Sequence, residues 1–371
     1  MSYAVTTITA QLLILLLTLA TNKVAASSLS VSEYAVYGQA VLLSSLISAF
    51  STSGLQNCIL SADIRERVTL QVFFFFALLI SILLFILNEI GFVAEYFLLD
   101  IEKYMTPYLL FALPFFYQIF IFKQAVVING GVRKDFVLLN VGNSVLCSAF
   151  LILTIYFEKF YLTFAFILFR PGFLGLFMFS EYIKKIDFKS LLIHFKDLFY
   201  LNKVFGYLLY GVVSTSAFYI YSAIARFVIS EAYDLETVGY FYTAQRLFEL
   251  LLGLSLTYYS SYYYRKISSI SDLKLVASIV LKTCILSLVS FLFISLLLFV
   301  FSEEIILVLF SKEQLPAVAF FNPLIVNMIL GSLVYSIGFS LVAKAKKSTI
   351  IILELLYLVC FVFLLLIWTV N

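Results

Sequence analysis

Residues 68–90 read VTLQVFFFFALLISILLFILNEI, an unbroken apolar run entered from Arg65 and Arg67 and left through Glu89. A helix needs about 20 apolar residues to cross the hydrocarbon core of a bilayer. The run is continuous rather than alternating, which favours a helix over a barrel strand, the only other solution lipid permits. This stretch therefore predicts a membrane span, and the rest of the chain is read outward from it.

The same rule places spans at 4–24, 34–60, 68–90, 105–127, 135–157 and 161–180, then at 205–229, 238–262, 275–301, 316–343 and 348–370. Numbering the loops between them in order, the even loops carry fifteen Lys and Arg residues and the odd loops only Lys23, Lys103, Lys159 and Lys312. Basic residues mark the cytoplasmic side of short loops. The N-terminus is thus expected in the cytoplasm and the C-terminus, after eleven spans, in the periplasm.

Composition agrees. Hydrophobic residues make up 63% and charged residues 12% of the 371, against roughly 25% charged in a soluble domain. A net charge of +3 gives no basic surface for nucleic acid. Cys58, Cys147, Cys284 and Cys360 all lie in apolar stretches, with no metal-ligand or CxxC spacing. His194 is the single histidine, so His-based metal chemistry is excluded. The first apolar run has no basic segment before it and no soluble sequence after it, and reads as a span rather than a cleaved signal.

Between spans six and seven, Phe188, Leu191, Leu192, Phe195, Leu198 and Phe199 recur at helical spacing among Lys189, Lys196 and Asp197. The pattern fits an amphipathic helix on the cytoplasmic membrane surface, or a solvated linker. Either reading divides the chain into an N-terminal lobe of six spans (1–182), a linker (183–204) and a C-terminal lobe of five (205–371). The lobes look like copies. From Arg133 to Cys147 and from Lys346 to Cys360 the spacing is the same, and Glu33–Tyr37 and Glu236–Tyr240 each open a helix that ends at a basic turn. Copies that start on the same side are parallel repeats about an axis along the membrane normal, an arrangement of transporters with a substrate path between lobes.

Ionisable residues inside spans cost at least ~2.5–3.5 kcal/mol at a helix centre, so they are expected to face a partner or a cavity. Lys123 and Arg226 lie near span ends and are expected to snorkel. Lys282 and Glu354 are expected to form an ion pair or to serve an ion. Arg170 precedes Pro171 near mid-span, and Arg246 and Glu249 share a helix face at i,i+3. This last pair reads as a structural lock between helices, or as part of a cationic cavity in which Arg170 and Arg246 meet a diphosphate and Glu249 tempers the charge or titrates. Ser51-Thr52-Ser53-Gly54-Leu55-Gln56-Asn57 and Asn129-Gly130-Gly131 end spans near the cytoplasm, as head-group contacts or as helix packing. Pro114 and Pro323 kink helices or mark their ends.

Several of these segments resemble Wzx-type O-antigen translocases, polysaccharide flippases with a multidrug-extrusion (MATE)-like fold. SGLQNCIL resembles their GxQN helix end, VVINGGVRKD their xINGxxR turn, and VGYFYTAQRLFELLLGL their eighth helix, in which an acid follows an Arg by three residues. FSKEQLPAVAFFNPL and LVAKAKKSTIIILEL are similar to the closing helices. The resemblance implies an all-α polytopic membrane protein of two pseudo-symmetric, MATE-like lobes, the second one helix short. It further implies a flippase of the cell inner membrane, without enzymatic activity or cofactor. Its cargo is an undecaprenyl-diphosphate-linked oligosaccharide, moved from the cytoplasmic to the periplasmic leaflet by alternating access. Membrane lipids and the polymerase and chain-length proteins of the same pathway are the implied partners. Gln56, Asn57, Arg133, Arg246 and Glu249 carry over by motif; Arg170 and Arg226 rest on their positions. A MATE-type small-molecule or cation antiporter, and an O-antigen polymerase or ligase, are the alternatives. The short odd loops argue against the enzyme, and the cationic bias of the intramembrane charges argues against a cationic cargo.

Overall fold

The computed structural model describes residues 3–52, 55, 66–97, 107–129, 133–183, 219–259, 263–344 and 347–370. The described residues are helical almost throughout, with no strand among them. The helices are α1 (Tyr3–Ser28), α2 (Val31–Thr52), α3 (Glu66–Glu89), α4 (Phe92–Phe97), α5 (Pro107–Asn129), α6 (Arg133–Tyr156), α7 (Phe160–Phe169) and α8 (Phe173–Ile183). They continue with α9 (219–232), α10 (Leu235–Tyr258), α11 (Tyr264–Ser268), α12 (Leu273–Val300), α13 (Ser302–Leu309), α14 (Phe321–Ala343) and α15 (Lys347–Val370). Arg170–Gly172 and Lys312–Phe320 are 3-10 turns.

Eight segments among the described residues are long and apolar enough to cross a membrane. Their outward faces fit lipid rather than water: Leu281, Leu286, Phe293 and Phe299 of α12 are each about 60% exposed or more. The inward face of the same helix carries small or hydroxylated residues, Thr283, Ser287 and Ser295. There Tyr259 hydrogen-bonds Ser287, and Cys284 Sγ lies 3.0 Å from Ser336 Oγ on α14. Lipid and Leu attract a helix equally, so close approach and hydroxyl contacts decide which face turns inward.

The chain packs as two compact units, one of Val36–Ile220 and one of Met1–Ala35 with Tyr221–Asn371. This division differs from the expected lobes at the N-terminus: α1 packs on α10 and α13 of the second unit. Two features hold the N-terminal segment there, one in α1 and one at the start of α2. Lys23 Nζ donates to Val308 O at the end of α13. Gly239 lets Val31 O approach α10 so closely that a Cβ there would lie 2.6 Å from it.

Both units are assembled in the same order. A helix of 22 or 24 residues (α2, α10) is followed by a long apolar helix (α3, α12), a short one (α4, α13), a central one of 23 residues (α5, α14) and one of 24 (α6, α15). In each unit the third of the long helices packs against the second and the fourth: α5 on α3 and α6, α14 on α12 and α15. The openings match too. Ser30 and Glu33 form a reciprocal capping box at α2, with Ser30 N–H donating to Glu33 Oε2 at 2.9 Å. At α10, Asp234 Oδ1 accepts from Thr237 Oγ1 at 2.6 Å and Thr237 N at 2.9 Å, and these bonds hold its carboxyl below the usual range. The linker from residue 184 on lies outside the described residues.

Candidate functional site

Of the intramembrane ionisable residues, three lie together in the second unit. Arg226 of α9 was expected to snorkel to the membrane surface; instead it is 2% exposed. Its Nε donates to Gln245 Oε1 at 2.9 Å, and its guanidinium carbon stands 4.7 Å from the centre of the Tyr242 ring. Gln245 and Tyr242 are one turn apart on α10, so a single helix face supplies both the acceptor and the aromatic plane. Tyr242 is backed by Tyr34 of α2, centroid to centroid 5.1 Å. Phase explains the failed expectation: a residue near a helix end snorkels only if its side faces lipid, and Arg226 faces α10.

One residue further along, Arg246 Nη1 donates to Glu249 Oε2 at 2.9 Å. Their side chains are 16% and 15% exposed. Glu249 and Arg246 also interact electrostatically with Arg226. Two guanidinium groups therefore feel one carboxylate, which is bonded to Arg246, and the three residues together carry one net positive charge. Gly253, one turn beyond Glu249 on the same side, is half-buried, and a Cβ there would meet nothing within 4 Å. Gly253 thus borders open space on the face of α10 that also carries Arg246 and Glu249.

Lys282 and Glu354, expected as a pair, make no ion pair with each other: Lys282 is exposed on α12, while Glu354 is half-buried on α15. Glu354 falls on the stripe Ile350, Tyr357, Phe361, all of them buried, and Tyr357 donates to Asn327 Oδ1 at 2.7 Å. These two helices both pack on α14, which is why their charges do not meet.

Arg170 belongs to the other unit. The sixth span, expected as one helix over 161–180, is broken at Arg170–Gly172, because Pro171 has no N–H to continue the ladder. Neighbouring side chains take up the freed backbone groups. Tyr117 Oη donates to Leu168 O, Asn143 Nδ2 donates to Arg170 O at 2.9 Å, and Leu174 N–H donates to Asn143 Oδ1 at 3.0 Å. Gly172 and Gly175 press the broken helix against α5; a Cβ at Gly175 would collide with Phe116 O. Arg170 itself is half-buried, close to Cys147. Gln56 and Asn57, and the side chain of Arg133, lie outside the described residues, as do Gly130 and Gly131. Pro114 lies inside α5, whereas Pro323 stands in the first turn of α14. Sequence reasoning passes over Tyr34, Tyr242, Gln245 and Asn143; only Gln245, beside Arg246 in a helix poor in polar residues, carries a visible signal.

Fold and charges define a class first: a multi-pass helical membrane protein of two similarly ordered units, with ionised side chains held inside its helices. The solved structures narrow it. The chain superposes with a TM-score of 0.57 on the inward-facing conformation of a multidrug resistance MATE family transporter of the MOP superfamily, at 13% identity over 95% of this chain and 87% of that one. It also aligns with a MATE structure in the bent conformation, at 13% identity and a TM-score of 0.41, over 99% of this chain and 94% of that one. No protein-family model matches the sequence, and no curated protein does. The fold is MATE-like.

Proposed function

We propose that this protein is a flippase that carries undecaprenyl-diphosphate-linked oligosaccharide, the precursor of an O-antigen-type polysaccharide, from the cytoplasmic to the periplasmic leaflet of the inner membrane. The observation that carries this reading is the excess positive charge of Arg226 on α9 with Arg246 and Glu249 on α10, beside the open space at Gly253. Sugars and diphosphate cannot cross hydrocarbon, whereas the polyprenyl tail stays in lipid. Guanidinium groups replace the water that the diphosphate loses, and their planar fork binds phosphate oxygens in pairs. Moving two negative charges outward along an inside-negative potential is favourable by about 4.6 kcal/mol per 100 mV. The membrane potential then drives export.

The fold also supports a second reading, a small-molecule antiporter, since the solved MATE transporter on which the chain superposes is a multidrug resistance protein. A cationic drug would be repelled by the net positive charge of Arg226, Arg246 and Glu249, which favours the anionic cargo. Deleting the gene tests the choice. A flippase deletion accumulates lipid-linked single oligosaccharide units on the cytoplasmic face, and Arg246→Ala fails to complement by at least tenfold while reaching wild-type levels in the membrane. Arg246→Lys, which keeps the charge and loses the fork, recovers only part of the activity. Full complementation by Arg246→Ala, or loss of drug efflux without any accumulation, discards the flippase.

A further inference from the structure

The ion pair on α10 differs from a structural lock in its surroundings. Arg226 is sealed, with Gln245 and Tyr242 against its guanidinium. Arg246 and Glu249 remain partly accessible, although no residue from Phe241 to Gly253 is exposed. Their accessible edges lie on the face of α10 that continues to Gly253, where a Cβ would meet nothing within 4 Å. On that face an anion that takes Arg246 Nη1 must displace Glu249 Oε2, which now accepts from it.

We propose that Glu249 is an internal competitor for the Arg246 guanidinium, holding the anion position between transport events and giving it up to a phosphate of the cargo. The proposal rests on the flippase reading above and adds its release step. A bare guanidinium in a low-dielectric interior is costly, so a carboxylate three residues along keeps it paired when no cargo is present. A cargo phosphate must offer more than the carboxylate does, and two oxygens on one fork do so. When the site opens to the far side, Glu249 returns and expels the phosphate. Without the competitor, capture is tighter and release slower. No covalent step is involved, and the charge of the three-residue cluster is restored in each cycle.

The purified full chain in detergent, titrated calorimetrically with farnesyl diphosphate and with uncharged farnesol as the control, tests this. Glu249→Gln and Glu249→Ala should each bind farnesyl diphosphate about tenfold tighter than wild type, the scale of one charge-assisted hydrogen bond. Both should support slower export in cells. The gain should vanish when Arg246→Ala is added. Glu249→Asp keeps the charge with a shorter reach and should tighten binding by a smaller factor, which preserves the test if the neutral variants do not fold. Unchanged or weaker binding in the folded Glu249 variants overturns the competitor. If Arg246→Ala alone binds farnesyl diphosphate like wild type, the anion site itself is wrong and the flippase reading falls with it. Tightening for farnesol as well as the diphosphate also overturns the proposal, because the gain would not then be electrostatic.

Discussion

Arg170 and Arg246 each interrupt an apolar helix, yet the two units accommodate them by opposite means. Around Arg170 the backbone gives way: Pro171 breaks the helix, and Tyr117 and Asn143 bond the carbonyls and N–H that the break exposes. Around Arg246 the helix stays whole, and side chains do the balancing: Glu249 pairs with Arg246, while Gln245 and Tyr242 of the same helix hold the neighbouring Arg226. Glycines mark the same contrast. Gly175 is pressed against the Phe116 carbonyl, while Gly253 borders open space. In a bilayer, a broken helix must be fully repaired by neighbours, because no water is present to do so. An intact helix is free to leave part of a polar edge available. The first arrangement is built for rigidity and the second for exchange.

Substitutions at the break are expected to cost stability, and those along α10 to change transport. The largest effect is expected at Gly175. Even Gly175→Ala forces its Cβ onto Phe116 O, so the backbones of α8 and α5 must separate, at a cost of about 1–3 kcal/mol or more. The loss is read as a fall in thermal unfolding temperature in detergent; an unchanged midpoint would show that the two helices are not in contact there. Asn143→Leu comes next. It removes both bonds across the break and leaves Arg170 O and Leu174 N–H without them, for roughly 1–3 kcal/mol. If Asn143→Leu instead unfolds like wild type but loses transport, the break is a moving part and the contrast between the units reverses. The smallest effect on stability is expected at Gly253, and with the opposite sign. Gly253→Ala adds a methyl to open space and relieves the entropy of a mid-helix glycine, a gain of about 0.5–1 kcal/mol. Gly253→Leu should fold equally well but fill the space beside Glu249 and slow export. A clear drop in the unfolding midpoint for Gly253→Ala would mean that the space is filled.

Most of the helices were legible in the sequence because apolar length is a local quantity. The runs at 4–24, 68–90, 135–157 and 275–301 correspond to α1, α3, α6 and α12 within a few residues. The repeat was legible in the spacing from Arg133 to Cys147 and from Lys346 to Cys360, and the order of helices in the two units follows it. Helix α10 is instructive because hydropathy understates its burial: it is absent from the eight segments apolar enough to cross alone, yet Tyr242, Thr243 and Ala244 are fully buried. Among the candidate site residues, Arg246 and Glu249 were readable as an i,i+3 pair, since one helix turn decides their proximity. Arg226 was misplaced and the Lys282–Glu354 pair did not form, since each depended on which way one helix faces another.

The sequence by itself determined that this is a helical membrane protein, where its helices run, and that charges stand inside them, because bilayer thickness and the cost of charge in hydrocarbon act on each segment separately. The tertiary structure alone decided which charges have partners, where the sixth span breaks, and that α1 packs with the second half. Those outcomes depend on rotational phase and on close approach between distant helices, and in lipid neither is encoded by hydropathy.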